Sequence, residues 1–172
     1  MDKIYQIYLG GEFRKTDDLL RVYNPYNNEE LATTYKAGKP ELEEAIIKAL
    51  SVKETLIDLP SGKKYSILMQ IASQMNESRQ DLARIITAES GKPIRYALGE
   101  VDRAIQTFTI AAEESKRLPG EYIDIEWTAA GEGKEAIVRY FPVGLVAGIS
   151  PFNFPLNLAV HKLAPAIAAG CP

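Results

Sequence analysis

Cysteine is almost missing from this chain. Of its 172 residues only Cys171 carries a thiol, which excludes an intrachain disulfide and fits a reducing compartment. Histidine is equally scarce. His161 stands alone, so a metal centre built on Cys and His ligands is not expected. An excess of charge is missing too: 20 Lys and Arg against 23 Asp and Glu leave a formal net charge of −3. That balance gives no electrostatic reason to expect nucleic acid or an anionic membrane as partner. The N-terminus, Met1-Asp2-Lys3-Ile4-Tyr5-Gln6, lacks the apolar core of a signal peptide, so the Asn76-Glu77-Ser78 sequon reads as chance. No run qualifies as a transmembrane helix. The best candidate, 143–169, is broken by Pro151, Asn153, Pro155, Asn157, Lys162 and Pro165. A phosphate loop is also excluded at Gly133-Lys134, because Thr128 stands where the first glycine is required and Glu135 where Ser or Thr is. The expectation is a soluble, cytoplasmic chain. Its 46% hydrophobic and 25% charged residues are those of a globular protein.

What is present divides into four stretches. Residues 1–36 read as short strands and turns: Tyr8-Leu9, the turn Gly10-Gly11, Glu12-Phe13-Arg14, then Val22-Tyr23 running into Asn24-Pro25. Residues 37–120 read as helices. Pro40 suits a first helical position, and Leu42, Ala45, Ile46, Ala49 and Leu50 fall on one face behind it. A second helix starts near Ser61, with Tyr65, Leu68, Ile71, Ala72 and Met75 as its apolar stripe. A third covers Asp81 to Glu89, capped by Gly91 and stopped by Pro93. A longer helix carries Ala97, Val101, Ala104, Ile105, Phe108, Ala111 and Ala112, and ends before Leu118-Pro119-Gly120. All these stripes are expected to be core. Residues 121–142 turn to strand alternation on either side of Gly131-Glu132-Gly133, which predicts a hairpin.

Residues 143–172 carry a single charged side chain, Lys162. The all-apolar Val143–Ile149 predicts a strand buried on both faces of a parallel sheet. Ser150–Pro155 predicts a turn, and Leu156–Ala169 a buried helix bent at Pro165. Strand, turn and helix in this order open a doubly wound nucleotide-binding sheet, so the fold class is α/β. A parallel strand needs a parallel neighbour reached through a crossover, and no later strand follows. The expectation is therefore a truncated sheet with an exposed apolar patch. Lys162, alone on an apolar helix, is expected to reach a carboxylate or water.

Several motifs now point to a family. Ile149-Ser150-Pro151-Phe152-Asn153-Phe154-Pro155-Leu156 resembles a segment of the aldehyde dehydrogenase superfamily, and the likeness continues through His161–Gly170. Glu89-Ser90-Gly91-Lys92-Pro93 resembles a signature of that family's helical region. Gly10-Gly11-Glu12-Phe13 and Asn24-Pro25 resemble its N-terminal strands. The wording around Asn153 is most similar to the lactaldehyde, succinate-semialdehyde and non-phosphorylating glyceraldehyde-3-phosphate branches.

The resemblance implies an oxidoreductase that converts an aldehyde to a carboxylic acid with NAD or NADP, through a cysteine thiohemiacetal and thioester. It implies that Asn153 donates a hydrogen bond to the developing oxyanion. Ile149, Ser150, Pro151, Phe152 and Asn153 would contact the dinucleotide, and Lys162 would lie near a proton relay. Residues 121–142 would be part of a hairpin that bridges subunits of a homodimer or homotetramer, and 143–172 the start of the cofactor domain. The family lacks the usual Gly-rich dinucleotide fingerprint, as does this chain. The nucleophile and the base of the family lie in motifs absent here, so Cys171 is not expected to be the nucleophile and the chain alone is expected to be inactive. Two other readings stand beside the enzyme: a short assembly or cofactor-binding subunit completed by a second chain, and a helical interaction module. The last leaves 143–172 without a purpose.

Overall fold

A computed structural model describes residues 4–172. Two small antiparallel pairs come first. β1 (Ile7–Leu9) pairs with β2 (Glu12–Arg14) in the register Ile7↔Arg14 and Leu9↔Glu12. The two residues between them, Gly10 and Gly11, have φ of +56° and +95°, the left-handed conformation that a tight hairpin demands. β3 (Leu19–Tyr23) pairs with β4 (Glu30–Tyr35). Their turn is held by asparagine side chains: Asn24 Oδ1 accepts from the Tyr26 N–H at 2.9 Å and Asn27 Oδ1 from the Glu29 N–H at 3.0 Å.

The helical region contains α1 (Lys39–Ser51), the short α2 (Lys53–Ile57), α3 (Ser61–Glu77), α4 (Arg79–Ser90) and α5 (Ile94–Ser115). Gly91 takes φ +69° after α4 and its N–H returns to the Thr87 carbonyl, the expected left-handed stop. α5 is the central element. Ala97, Glu100, Val101, Ala104, Phe108, Ala111, Ala112 and Ser115 are buried along it at steps of three and four. One part of this stripe meets Ala83 and Ile86 of α4. The rest meets Leu68 and Ala72 of α3 and Val160, Ala164 and Ala168 of α6 (Pro155–Ala169). Alanines at the facing positions let the three helix axes approach closely, while Leu68 and Phe108 fill the volume between them. α6 runs through Pro165 to Gly170, whose φ is +82°. A side chain at Gly170 would also come within 2.7 Å of Lys64 Nζ and 3.0 Å of the Leu56 carbonyl. Backbone conformation and space both demand glycine there.

Three expectations are corrected. The α1 stripe is not core: no residue of α1 is buried, and Leu42 is 60% exposed. α1 packs on the short α2 and over β1, where Leu42 and Ala45 line an open groove with Ile7 and Leu9, and no core helix covers it. Val143–Ile149 is not a strand. Strand geometry is stabilised by a hydrogen-bonded neighbour, and each described strand is already paired with its hairpin partner. The segment makes one backbone bond, Val146 N–H to the Pro172 carbonyl at 2.9 Å, and leaves Val143 87% and Ile149 89% exposed. The sheet-burying role of this stretch is therefore absent among the described residues. α6 is buried along one stripe only, with Leu163 facing solvent.

The expected hairpin is present. β5 (Gly120–Asp124) pairs with β6 (Glu135–Arg139), Gly120 opposite Arg139 and Asp124 opposite Glu135. It stands away from the helices, with Tyr122 and Ile137 side by side on an exposed face. No described helix is long and apolar enough to cross a membrane.

α4 is tied to α5 by a two-pronged pair: Arg79 Nε reaches Asp102 Oδ1 at 2.5 Å and Nη2 reaches Oδ2 at 2.7 Å. The hydrogen bond from Arg79 holds the Asp102 carboxyl below its ordinary pKa, against a smaller opposing effect of burial. A lowered native pKa stabilises the fold above the ordinary carboxylate range, and the contribution is lost as pH falls through the native value. Asp102→Asn should lower the melting temperature modestly at neutral pH, and the difference from the parent should shrink as melts are repeated towards about pH 3. A difference that stays constant with pH would contradict the pairing.

Candidate active site

Asn153 sits in the turn that leads into α6, directly after the exposed Ile149-Ser150-Pro151-Phe152. Unlike Asn24 and Asn27, it is not a turn asparagine bonded to local backbone: its carboxamide makes no hydrogen bond to any described residue. Both carboxamide donors are free for another group.

The turn is instead held through its backbone by α5 and by the loop before it. Glu100 is 1% exposed, deep in the contact between α5 and α6. Its Oε1 accepts the N–H groups of Leu156 at 2.9 Å and Asn157 at 3.1 Å. Its Oε2 is paired with Lys92 Nζ, and that ammonium also donates to the Asn153 backbone carbonyl at 2.9 Å. Lys92 Nζ lies 4.1 Å from the centre of the Phe154 ring, a cation–π contact that fills the space beside the turn.

These bonds use up the start of α6. A helix exposes unpaired N–H groups and positive partial charge at its N-terminus. Here Pro155 has no N–H, Leu156 and Asn157 donate to Glu100, and Leu158 donates to the Phe154 carbonyl at 3.0 Å. The buried carboxylate also neutralises the helix end. The N–H groups of the first turn that an anion such as a pyrophosphate would use are therefore already taken. The exposed Asn153 carboxamide beside them keeps its donors unbonded.

Ile149, Ser150, Pro151, Phe152 and Asn153 share one exposed stretch; Phe152 is 90% exposed. Lys162 lies about two turns along α6 from Pro155, roughly 10 Å at 1.5 Å per residue. It packs against Gly148, where an added Cβ would lie 3.0 Å from Lys162 Cβ. Of the two partners expected for Lys162, a carboxylate or water, it has the second: it makes no ion pair or hydrogen bond with a described residue and stays partly in contact with solvent. His161 is exposed and borders an apolar cavity of about 440 Å³ lined by Ile110, Leu118 and Pro165. Asn157 Oδ1 is buried without a partner.

Cys171 is buried and lies at the far end of α6. The 15 residues of α6 put roughly 22 Å between that end and the Asn153 turn. Cys171 and Asn153 cannot meet on one carbonyl.

Glu100 and Lys92 were not recognised as site residues from the sequence. A signal existed for Glu100, a lone carboxylate among Ala97, Val101 and Ala104 on the apolar stripe of α5. Lys92 lay within a recognised motif, but its reach to a turn 61 residues away is tertiary information.

Among the described residues no cluster of His, Cys, Asp and Glu could hold a metal ion. The family model that matches the chain is described as "Aldehyde dehydrogenase family" and covers residues 13–172. The lactaldehyde dehydrogenase of Methanococcus aeolicus is 43% identical over 164 residues, which are 95% of this chain and 34% of the relative. A crystal structure of aldehyde dehydrogenase 21 from Physcomitrella patens, in complex with the reaction product succinate, superposes on all of this chain and 36% of its own with TM-score 0.96 and 39% identity. The glyceraldehyde-3-phosphate dehydrogenase GapN of Methanocaldococcus jannaschii, complexed with NADP, matches 92% of this chain and 33% of its own with TM-score 0.83 and 41% identity. The chain thus spans about a third of the length of these relatives.

If Cys171 is a packed side chain rather than a nucleophile, iodoacetamide should label the native chain slowly and the denatured chain quickly. Fast stoichiometric labelling of the native chain, followed by mass spectrometry, would contradict that assignment.

Proposed function

The chain belongs to the aldehyde dehydrogenase family, and from that premise we propose that it supplies the oxyanion donor of an enzyme that oxidises an aldehyde to a carboxylic acid with NAD or NADP. The nucleophilic cysteine and the glutamate base come from a segment beyond these 172 residues. When that cysteine attacks the carbonyl, negative charge gathers on the oxygen of the thiohemiacetal. The Asn153 carboxamide donates to it. A neutral amide suits the task because it keeps its proton at every working pH, and because it is already free of competing bonds. The cofactor, when bound, accepts the hydride.

Ile149, Ser150, Pro151 and Phe152 form the wall against which the nicotinamide half rests. Their exposed apolar surface fits a flat ring, and the neutralised start of α6 sends the pyrophosphate elsewhere. Lys162, without an acidic partner here, is available to the base of the missing segment as a proton relay. The hairpin β5–β6 exposes Tyr122 and Ile137 for a second subunit, which gives a homodimer or homotetramer. A second reading, a short subunit completed by a separate polypeptide that brings the nucleophile, has the same support from the exposed 143–152 stretch.

The single observation that carries the proposal is the unbonded carboxamide of Asn153 on a turn whose backbone is fixed. The chain alone should form no NADH or NADPH with any aldehyde. Joined to the nucleophile-bearing segment it should be active, and Asn153→Ala should then lower kcat by about 10²–10³-fold. An unchanged kcat would overturn the proposal.

A further inference from the structure

Glu100 and Lys92 together grip the backbone from Asn153 into the first turn of α6. Lys92 Nζ holds the carbonyl of Asn153 itself, and Glu100 holds the N–H groups of Leu156 and Asn157. We propose that this buried ion pair is the positioning device of the site: Glu100 and Lys92 set the backbone from which the Asn153 carboxamide reaches the substrate oxygen. The inference rests on the proposed role of Asn153.

Three features argue for positioning rather than mere attachment of α6 to α5. First, α6 has no cap of its own. The residue at its N-cap is Phe154, which offers no side-chain acceptor, although Ser, Thr, Asp or Asn there would cap the helix locally. The cap is delivered instead from α5, 56 and 57 residues earlier in the chain. The start of α6 is therefore registered against the helical body and not only against its own turn.

Second, charge is a poor way to glue two helices. Burying an ion pair costs desolvation that its attraction does little more than offset, and apolar side chains of equal volume often serve stability as well or better. Ala97, Val101 and Ala104 already make the α5 face adhesive around Glu100. What apolar residues cannot do is fix backbone groups in direction. A carboxylate accepts two N–H groups and an ammonium at once, and the ammonium has a donor to spare for a carbonyl.

Third, the carboxamide makes no bond of its own in the described chain. Its location therefore follows from the backbone plus two side-chain torsions. Any play in the 153–157 backbone passes directly to the donor, and a displacement of about 1 Å in a reacting geometry can cost about 10²-fold in rate.

The test is a double-mutant cycle in the active protein that carries this chain and the nucleophile-bearing segment. Glu100→Gln keeps the size and one acceptor but abolishes the charge pair; Lys92→Met keeps the stem and removes the ammonium; Lys92→Arg keeps the cation. Each is made alone and together with Asn153→Ala, and kcat and KM for the aldehyde are measured after melting curves establish folding. Glu100→Gln and Lys92→Met should each lower kcat by roughly 10–100-fold with little change in KM. Lys92→Arg should recover part of the loss. Neither change should lower kcat further once Asn153 is alanine, because the device would then have nothing to position. If either Glu100→Gln or Lys92→Met does not fold, the other arm decides. Losses that multiply with that of Asn153→Ala, or single variants with unchanged kcat while Asn153→Ala is crippled, would overturn the positioning role and leave the role of Asn153 standing. A silent Asn153→Ala would overturn both.

Discussion

One buried carboxylate organises this end of the molecule. Glu100 lies where α5 crosses the start of α6, with its two oxygens divided between backbone N–H groups and the ammonium of Lys92. An unpaired carboxylate at that depth would be costly, so the two N–H groups and the ammonium each favour the closed arrangement of the helices. The same requirement fixes the loop before α5, which carries Lys92, and the turn before α6, which carries Asn153. α5 and the loop just before it are thus brought into register, by one charge, with the start of α6 some 56 residues further along the chain.

The remainder of the helical body makes that burial possible. α5 presents small residues on both of its packed faces, so α3, α4 and α6 draw close enough to exclude water around Glu100. α6 is then held at both ends: by Glu100 at its start, and by the glycine turn at Gly170 that admits Lys64 and the Leu56 carbonyl. Some surface is left without a counterpart. Val143, Ile149 and Phe152 are exposed, and Asn157 Oδ1 is buried and unbonded, a state that costs about 1–3 kcal/mol in a finished interior.

Local chemistry made much of the fold legible in the sequence. Gly10-Gly11 marked the first hairpin, Gly91 and Pro93 bounded α4 and α5, and the apolar spacing of α5 matched its buried face. Alternation on either side of Gly131-Glu132-Gly133 marked β5 and β6. The failures have a common physical origin. The apolar spacing of α1 and the apolar run at 143–149 were read as buried, but burial is a property of two surfaces, and these have no covering neighbour among the described residues. Of the candidate site, Asn153 and the residues before it could be proposed from the sequence because they are contiguous. Glu100 and Lys92 act across the fold, on a turn that neither adjoins in sequence, so spacing alone gave no account of them.

What the proposed chemistry requires is one geometry, the Asn153 carboxamide beside the substrate oxygen. A crystal structure of a longer protein carrying this chain, with an aldehyde held covalently on the nucleophile, tests it most directly. The Asn153 carboxamide nitrogen is expected about 2.7–3.1 Å from the former carbonyl oxygen, with Glu100 still bonded to the Leu156 and Asn157 N–H groups. A structure in which that oxygen is bound by other donors, and the Asn153 side chain points away from it, would contradict the account.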